Sequence, residues 1–330
     1  MLQVYAARDG ALQRIEAGPA GLPPDGVWID LMQPTREEEK LLEAILGINI
    51  PTREEMQEIE ASSRLYSEDG ALFMTASIVS RAETEEPANT PVTFIVTPRH
   101  LITVRYADPL PFRTFIARCA KQPRPVLASD SAFVALLESV VDRAADLLER
   151  IGGDLDAVSA STFRPPQRHT GMLGRRTKPP VDLQEVLVRI GRNNDLATKI
   201  RESLLSLDRM IPFFRQGSAD WVQPGLKGNL KALERDVRSL GEHDAYLAQK
   251  INFLLDATLG LINIEQNAII KIFSVVAVIF MPPTLVASIY GMNFKHMPEL
   301  EFPFGYPMAV CIMLASAILP YLYFKFRRWL

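Results

Sequence analysis

Tyr290-Gly291-Met292-Asn293-Phe294 stands between two uncharged apolar stretches, Ile272–Tyr290 and Tyr306–Phe324, and this arrangement decides the architecture. Each stretch is 19 residues long. As a helix rising 1.5 Å per residue, such a stretch just crosses a hydrocarbon core of about 30 Å. Residues 272–290 and 306–324 are therefore expected to be transmembrane helices. Residues 291–305 then form a loop at one membrane face, and 325–330 a basic tail.

Working back from that loop, a helical pattern starts near Gly228 and meets no proline until Pro282. Unbroken to Tyr290, its roughly 60 residues span about 90 Å. That is longer than a globular domain needs, so residues 228–271 are expected to be a stalk that enters the bilayer. Alternating steps of three and four along it pick out Asp256, Gly260, Asn263, Asn267, Ile270, Ser274, Ala277, Met281, Thr284 and Ser288. Nearly all are polar or small, whereas Leu254, Leu255, Ile262, Ile269, Ile272, Val276 and Ile279 beside them are bulky. Small residues on one face let membrane helices pack closely. The same stripe suits a water-filled bore lined by one helix from each copy of an oligomer, and periodicity alone leaves both readings open.

The Gly-Met-Asn triplet, Met297-Pro298-Glu299-Leu300 after it, and the upstream segments Asn263-Ile264-Glu265-Gln266-Asn267 and Met281-Pro282-Pro283-Thr284-Leu285-Val286 resemble the CorA family of magnesium channels. The resemblance runs from about Asn252 to the C-terminus. It implies a homopentamer with a pore-lining first span and a selectivity filter at Gly291, Met292 and Asn293. It also implies pore-facing Asn267, Met281 and Thr284, and a narrow apolar region at Phe273. Magnesium is the implied cargo, with cobalt and nickel carried too. Acids at subunit interfaces are the implied regulatory magnesium ligands. Glu234, Asp236, Glu242, Asp244 and Asp256 are candidates on the stalk, with Glu234, Asp236 and Asp256 put forward, and Glu83, Glu85 and Glu86 in the N-terminal domain.

The chemistry suits such an ion. Magnesium dehydrates reluctantly, so a workable mouth recognises its hydrated form. Neutral Asn293 amides and Gly291 carbonyls accept hydrogen bonds from bound water and release the ion again. Gly291 is expected to let the chain turn sharply. Pro282 and Pro283 remove amide donors, so a modest kink is expected. One departure from the family pattern is Lys295, where an acid is common. Glu299 and Glu301 then offset its charge.

The first 128 residues alternate strands and helices. Gln3–Ala6, Val27–Asp30 and Ala71–Val79 read as strands, and Val92–Val96 with Leu101–Tyr106 as a hairpin around Thr97-Pro98-Arg99-His100. Thr35 with Glu38, and Thr52 with Glu55, spell two helix-capping boxes. From Ser129 the period becomes helical: Ala132, Leu136, Val140, Ala144, Leu147 and Ile151 share a face. Asp182 opens a second helix with Leu187, Ile190, Leu196, Ile200, Leu204 and Leu207. Residues 129–227 are thus expected to be an antiparallel helical hairpin. Its tip, Arg164–Pro180, carries Arg168, Arg175, Arg176 and Lys178 and reads as a solvated turn or a lipid contact. The fold class is an α/β cytoplasmic domain, a long stalk helix and two membrane helices, with an all-helical C-terminal half.

Composition excludes several other classes. A formal net charge of −3 favours no nucleic acid. Cys119 and Cys311 build neither a disulfide framework nor a zinc cluster, and the four histidines lack ligand spacing. Of two readings for His243 and Asp244, part of a metal site or a solvated helix face, the second is expected. No nucleophile elbow or phosphate loop is evident, so no enzymatic activity and no organic cofactor are expected. Residues 1–20 have no apolar core behind a basic start, so no cleavable signal is expected. Lys250 and Lys271 precede the first span, and Lys325, Arg327 and Arg328 follow the second. The positive-inside rule puts both termini in the cytoplasm of an inner membrane. Tyr290, Phe294, Phe302, Phe304 and Tyr306 would anchor the outer interface, and Tyr321, Tyr323 and Trp329 the inner one. Two other readings remain: a zinc transporter of the same superfamily, and a non-conducting membrane scaffold or sensor.

Overall fold

The computed structural model describes residues 1–8, 11–15, 23, 25–121, 128–163, 182–293, 297–298 and 302–327. Phe294, Lys295, His296, Glu299, Glu301, the basic segment 164–180, Arg328 and Trp329 lie outside the described residues. The chain divides into two compact units, Met1–Leu255 and Asp256–Leu330.

The first unit is built on seven strands: β1 (Leu2–Arg8), β2 (Ala11–Ile15), β3 (Gly26–Met32), β4 (Leu65–Glu68), β5 (Ala71–Ser80), β6 (Ala88–Val96) and β7 (Leu101–Arg105). Their spatial order is β2-β1-β3-β7-β6-β5-β4, and only β3–β7 is a parallel pair. All ten residues of β5 are buried, because helices cover both faces of the sheet. Leu72, Met74, Ala76 and Ile78 point into one core, with α4 (Leu110–Lys121), α5 (Ser129–Phe163) and α6 (Leu183–Gly217). Ala71 and Phe73, one residue out of phase, point into the other, with α1 (Arg36–Leu46) and Met56 of α2 (Arg53–Met56); the short α3 (Ala61–Arg64) leads into β4.

Local signals act as written. Thr35 accepts from the Glu38 amide while Glu38 accepts from the Thr35 amide, and Thr52 and Glu55 repeat the exchange. Asp182 caps α6 by accepting from the Gln184 and Glu185 amides. The hairpin of β6 and β7 forms, but β6 starts at Ala88, earlier than expected. Pro91 hid this extension. It pairs with Ser77 of β5, one residue beyond the last β6–β7 pair, Val92 with Arg105, where that side of β6 is an edge that tolerates proline.

Non-local chemistry holds the sheet centre. Asp30 on β3 is fully buried and accepts from Arg105 Nε at 3.0 Å and Nη2 at 2.8 Å on β7. Thr103 donates to the same carboxylate at 2.7 Å, and Trp28 Nε1 donates to Thr103 at 2.9 Å. Arg105 also binds Asp108 at 2.7 Å. Burial by itself would weaken the Arg105 proton, but hydrogen bonds and charge from Asp30 and Asp108 outweigh it and hold the pKa above its ordinary value.

The helices form a bundle. Phe133 near the start of α5 meets Phe214 near the end of α6, with ring centroids 4.4 Å apart. Arg189 near the start of α6 lies 3.8 Å from Asp154. The two helices therefore run antiparallel. The early part of α7 (Leu226–Tyr290) completes the bundle: Arg215 reaches Glu234, Arg201 reaches Asp244, and Lys250 reaches Asp156.

Candidate ion pathway

α7 continues to Tyr290 through Pro282 and Pro283, although neither has an amide to donate. Immediately after them, the Thr284 hydroxyl donates to the Phe280 carbonyl, one turn back, at 2.7 Å. In the second unit α7 is joined by α8 (Gly305–Phe326). Among the described residues these two helices are long and apolar enough to cross a membrane.

Burial in this unit sorts the faces of α7. Val275, Ile279, Pro282, Val286 and Tyr290 are its least exposed line. On α8, Gly305 and Ala309 are buried. At 3.6 residues per turn, Ser274, Ala277, Met281, Thr284 and Ser288 lie about 160° round the helix from that line. All five are exposed in the single chain, as are Asp256, Gly260, Asn263, Asn267 and Ile270 earlier on the stripe. Phe273, 70% exposed, sits about 60° from the stripe's midline. The polar and small face is thus turned away from the helix's own partner.

The stripe ends at the Gly-Met-Asn triplet. Gly291 N–H donates to the Ala287 carbonyl at 2.9 Å, and Met292 N–H to that of Ile289 at 3.3 Å. A Cβ at Gly291 would lie 3.1 Å from the Ala287 oxygen. Gly291 does not take a left-handed conformation, so close approach, not a sharp turn, explains the glycine. Met292 and Asn293 are exposed. At the far end of α8, Lys325 lies over the Tyr321 ring and Arg327 over Tyr323.

The candidate regulatory acids are not brought together. Glu234 faces Arg215 at 3.6 Å and Arg238 at 3.9 Å, while Asp236 and Asp256 are exposed. Glu83 pairs with Arg143 and Glu85 with Arg192. No group of three or more potential metal ligands occurs among the described residues. Asp244, read above as solvated, is 1% exposed and bound to Arg201 Nε at 2.6 Å. Sequence reasoning missed this pair because its members are 43 positions apart. An acid at a core position of the heptad was the available signal.

An α/β unit and two membrane-length apolar helices, the first continuous with the bundle, define a two-span membrane protein. The model of the CorA-like Mg2+ transporter protein family matches residues 25–328, and the chain belongs to that family. The family is one of transporters, not of enzymes. The chain is 34% identical over 330 residues to "Magnesium transport protein CorA" of Escherichia coli strain K12, covering all of both chains. Identity and coverage are the same for the Salmonella typhimurium strain LT2 protein of that name. Its fold is similar to the complete structure of the CorA magnesium transporter from Methanocaldococcus jannaschii, with a TM-score of 0.75 at 18% identity, covering 100% of this chain and 99% of that one.

Proposed function

We propose that the protein is a homopentameric inner-membrane channel that carries Mg2+ inward, with Co2+ and Ni2+ as passengers. Both termini are cytoplasmic. The observation that carries this reading is the stripe from Asn267 to Ser288, exposed in the single chain, opposite the line that α7 buries, and ending at Asn293. A single chain leaves such a face unsatisfied in lipid, whereas five copies enclose it around water. The full-length likeness to magnesium transport proteins supplies the ion.

Asn293 amides and Gly291 carbonyls receive the hydrated cation through its water hydrogens. Met281 and Phe273 narrow the bore with apolar side chains, which close a pore by expelling water. Asn267, Ser274, Ala277, Thr284 and Ser288 line it, and Glu299 and Glu301 offset the charge of Lys295 at the mouth. No nucleotide is needed. An inside-negative potential of 100 mV drives a divalent ion with roughly 4.6 kcal/mol, twice the value for one charge. Internal Mg2+ gates the channel by bridging acids of neighbouring copies, with Asp236, Asp256 and Glu234 as candidates. Glu234 must first leave Arg215 and Arg238.

The test is uptake by purified protein in proteoliposomes, with Mg2+, Co2+, Ni2+ and Zn2+ compared. Mg2+ is expected to enter, and Asn293→Ala is expected to assemble normally yet lose uptake by about a hundredfold or more, since the helical pore remains but its ring of acceptors is gone. Wild-type rates from the alanine variant would rule out the filter. Zn2+ uptake without Mg2+ would favour the zinc reading, and no uptake of any ion a scaffold.

A further inference from the structure

In the first unit α7 packs through a seam with alternating three- and four-residue steps, including Leu230, Leu233, Val237, Leu247, Ile251 and Leu254, all buried. Asp244 occupies a position of that same seam. Its Oδ2 accepts from Arg201 Nε of α6 at 2.6 Å, and its Oδ1 is buried without a hydrogen-bond partner. The Arg201 side chain is 46% exposed, so it reaches in from the bundle surface.

An apolar seam of this kind is permissive, since burial of hydrocarbon is non-directional and Leu or Val accepts several neighbours. A charge in the seam is not. Buried ion pairs add little net stability against apolar replacements, and their best-attested role is to select register. We propose that Asp244 and Arg201 form the register lock of α7: only one axial and rotational setting places the carboxylate against the guanidinium. Any other setting buries the carboxylate among aliphatic side chains with no partner. The start of α7 is tied separately, where Gln223 N–H donates to buried Asp130 at 2.9 Å. Asp244 lies about five turns beyond the helix start and holds α7 against α6 at a second, distant point. Asp244 is on this account a positioning residue for α7 against α6.

The test uses full-length protein in membranes with Cys119 and Cys311 replaced by serine. Arg215 and Glu234 are ion-pair partners across α6 and α7. Paired cysteines at 215 and 234 report the native register, and cysteines at 215 and 238 a register one turn away. With Asp244 intact the first pair should cross-link in strong preference. Asp244→Leu fills the site with hydrocarbon and should raise the ratio of 215–238 to 215–234 product about tenfold or more. The exchange Arg201→Asp with Asp244→Arg should restore the native ratio. A variant that keeps the native ratio after loss of the charge overturns the lock, whatever its stability. If Asp244→Leu does not accumulate, Asp244→Asn carries the same comparison. Mg2+ uptake by the same preparations tests the pore reading separately: altered cross-linking without uptake in any preparation keeps the lock and discards the pore.

Discussion

The two units of this chain use hydrocarbon in opposite ways. In Met1–Leu255, large apolar residues such as Trp28, Phe73, Phe94, Phe133 and Phe214 are fully or almost fully buried, and buried Asp30 and Arg105 pair with each other. In Asp256–Leu330, Phe273, Met281, Leu285 and Leu319 are each more than 60% exposed. The first unit draws its stability from its own chain. The second cannot, because one pair of helices has no interior for so many side chains; on the proposed channel reading, lipid and other copies supply what the chain lacks. A polar residue therefore means different things in each unit. In the first, Asp30 needs a partner in the same chain. In the second, Asn267 and Ser274 stand exposed on a helix face that the single chain does not cover.

That contrast can be broken most directly at Arg105. Arg105→Met leaves Asp30 buried without its cation and should cost about 3–5 kcal/mol. Hydrogen exchange of the β3 and β7 amides in full-length protein should accelerate by a hundredfold or more, while exchange in α8 stays unchanged. Equal acceleration in both units would deny that they are stabilised independently.

Cysteine labelling sharpens the other side. Cysteines at Ser274, Ala277 or Met281 should cross-link between copies and react with water-soluble thiol reagents on the order of tenfold faster than cysteines at Val276 or Ile279, as expected where one face lines water and another meets lipid or protein. Equal rates would make the stripe a packing face. A smaller effect is expected from Glu234→Gln with Asp236→Asn, which should weaken inhibition by internal Mg2+ a few-fold without stopping uptake, since bound ion must favour the closed state to regulate at all. Unchanged inhibition and unchanged Mg2+ protection from proteolysis would leave these acids only a solubilising role.

The smallest effect tests a local cap. Thr35→Ala should destabilise α1 by about 1 kcal/mol. Burial would raise the Glu38 pKa, but the Thr35 amide, the N-terminal ammonium and the Leu2 amide outweigh it and hold the carboxyl below its usual range. Its contribution is therefore full above the ordinary carboxylate pKa and disappears as pH falls through the lowered one. Acid titration of α1 amide exchange should show that loss in wild type and less of it in Glu38→Gln.

The caps at Thr35, Thr52 and Asp182, the hairpin of β6 and β7 and the helical period from Ser129 could be read directly, because each depends on residues within a few positions of one another. The two spans and the family could be read as well, since length, hydropathy and the Gly-Met-Asn triplet are properties of contiguous sequence. β2 and β4 escaped notice because short edge strands carry a weak pattern, and Pro91 disguised the start of β6. Tertiary structure alone decided that β3 lies parallel to β7, that Asp30 meets Arg105 across 75 positions, and that Asp244 is an interior residue bound to Arg201. The physical reason is common to all three. Hydrogen bonds within a turn and apolar periodicity are local, whereas the pairing of strands far apart in the chain and the partner of a buried charge are set only when distant segments pack together.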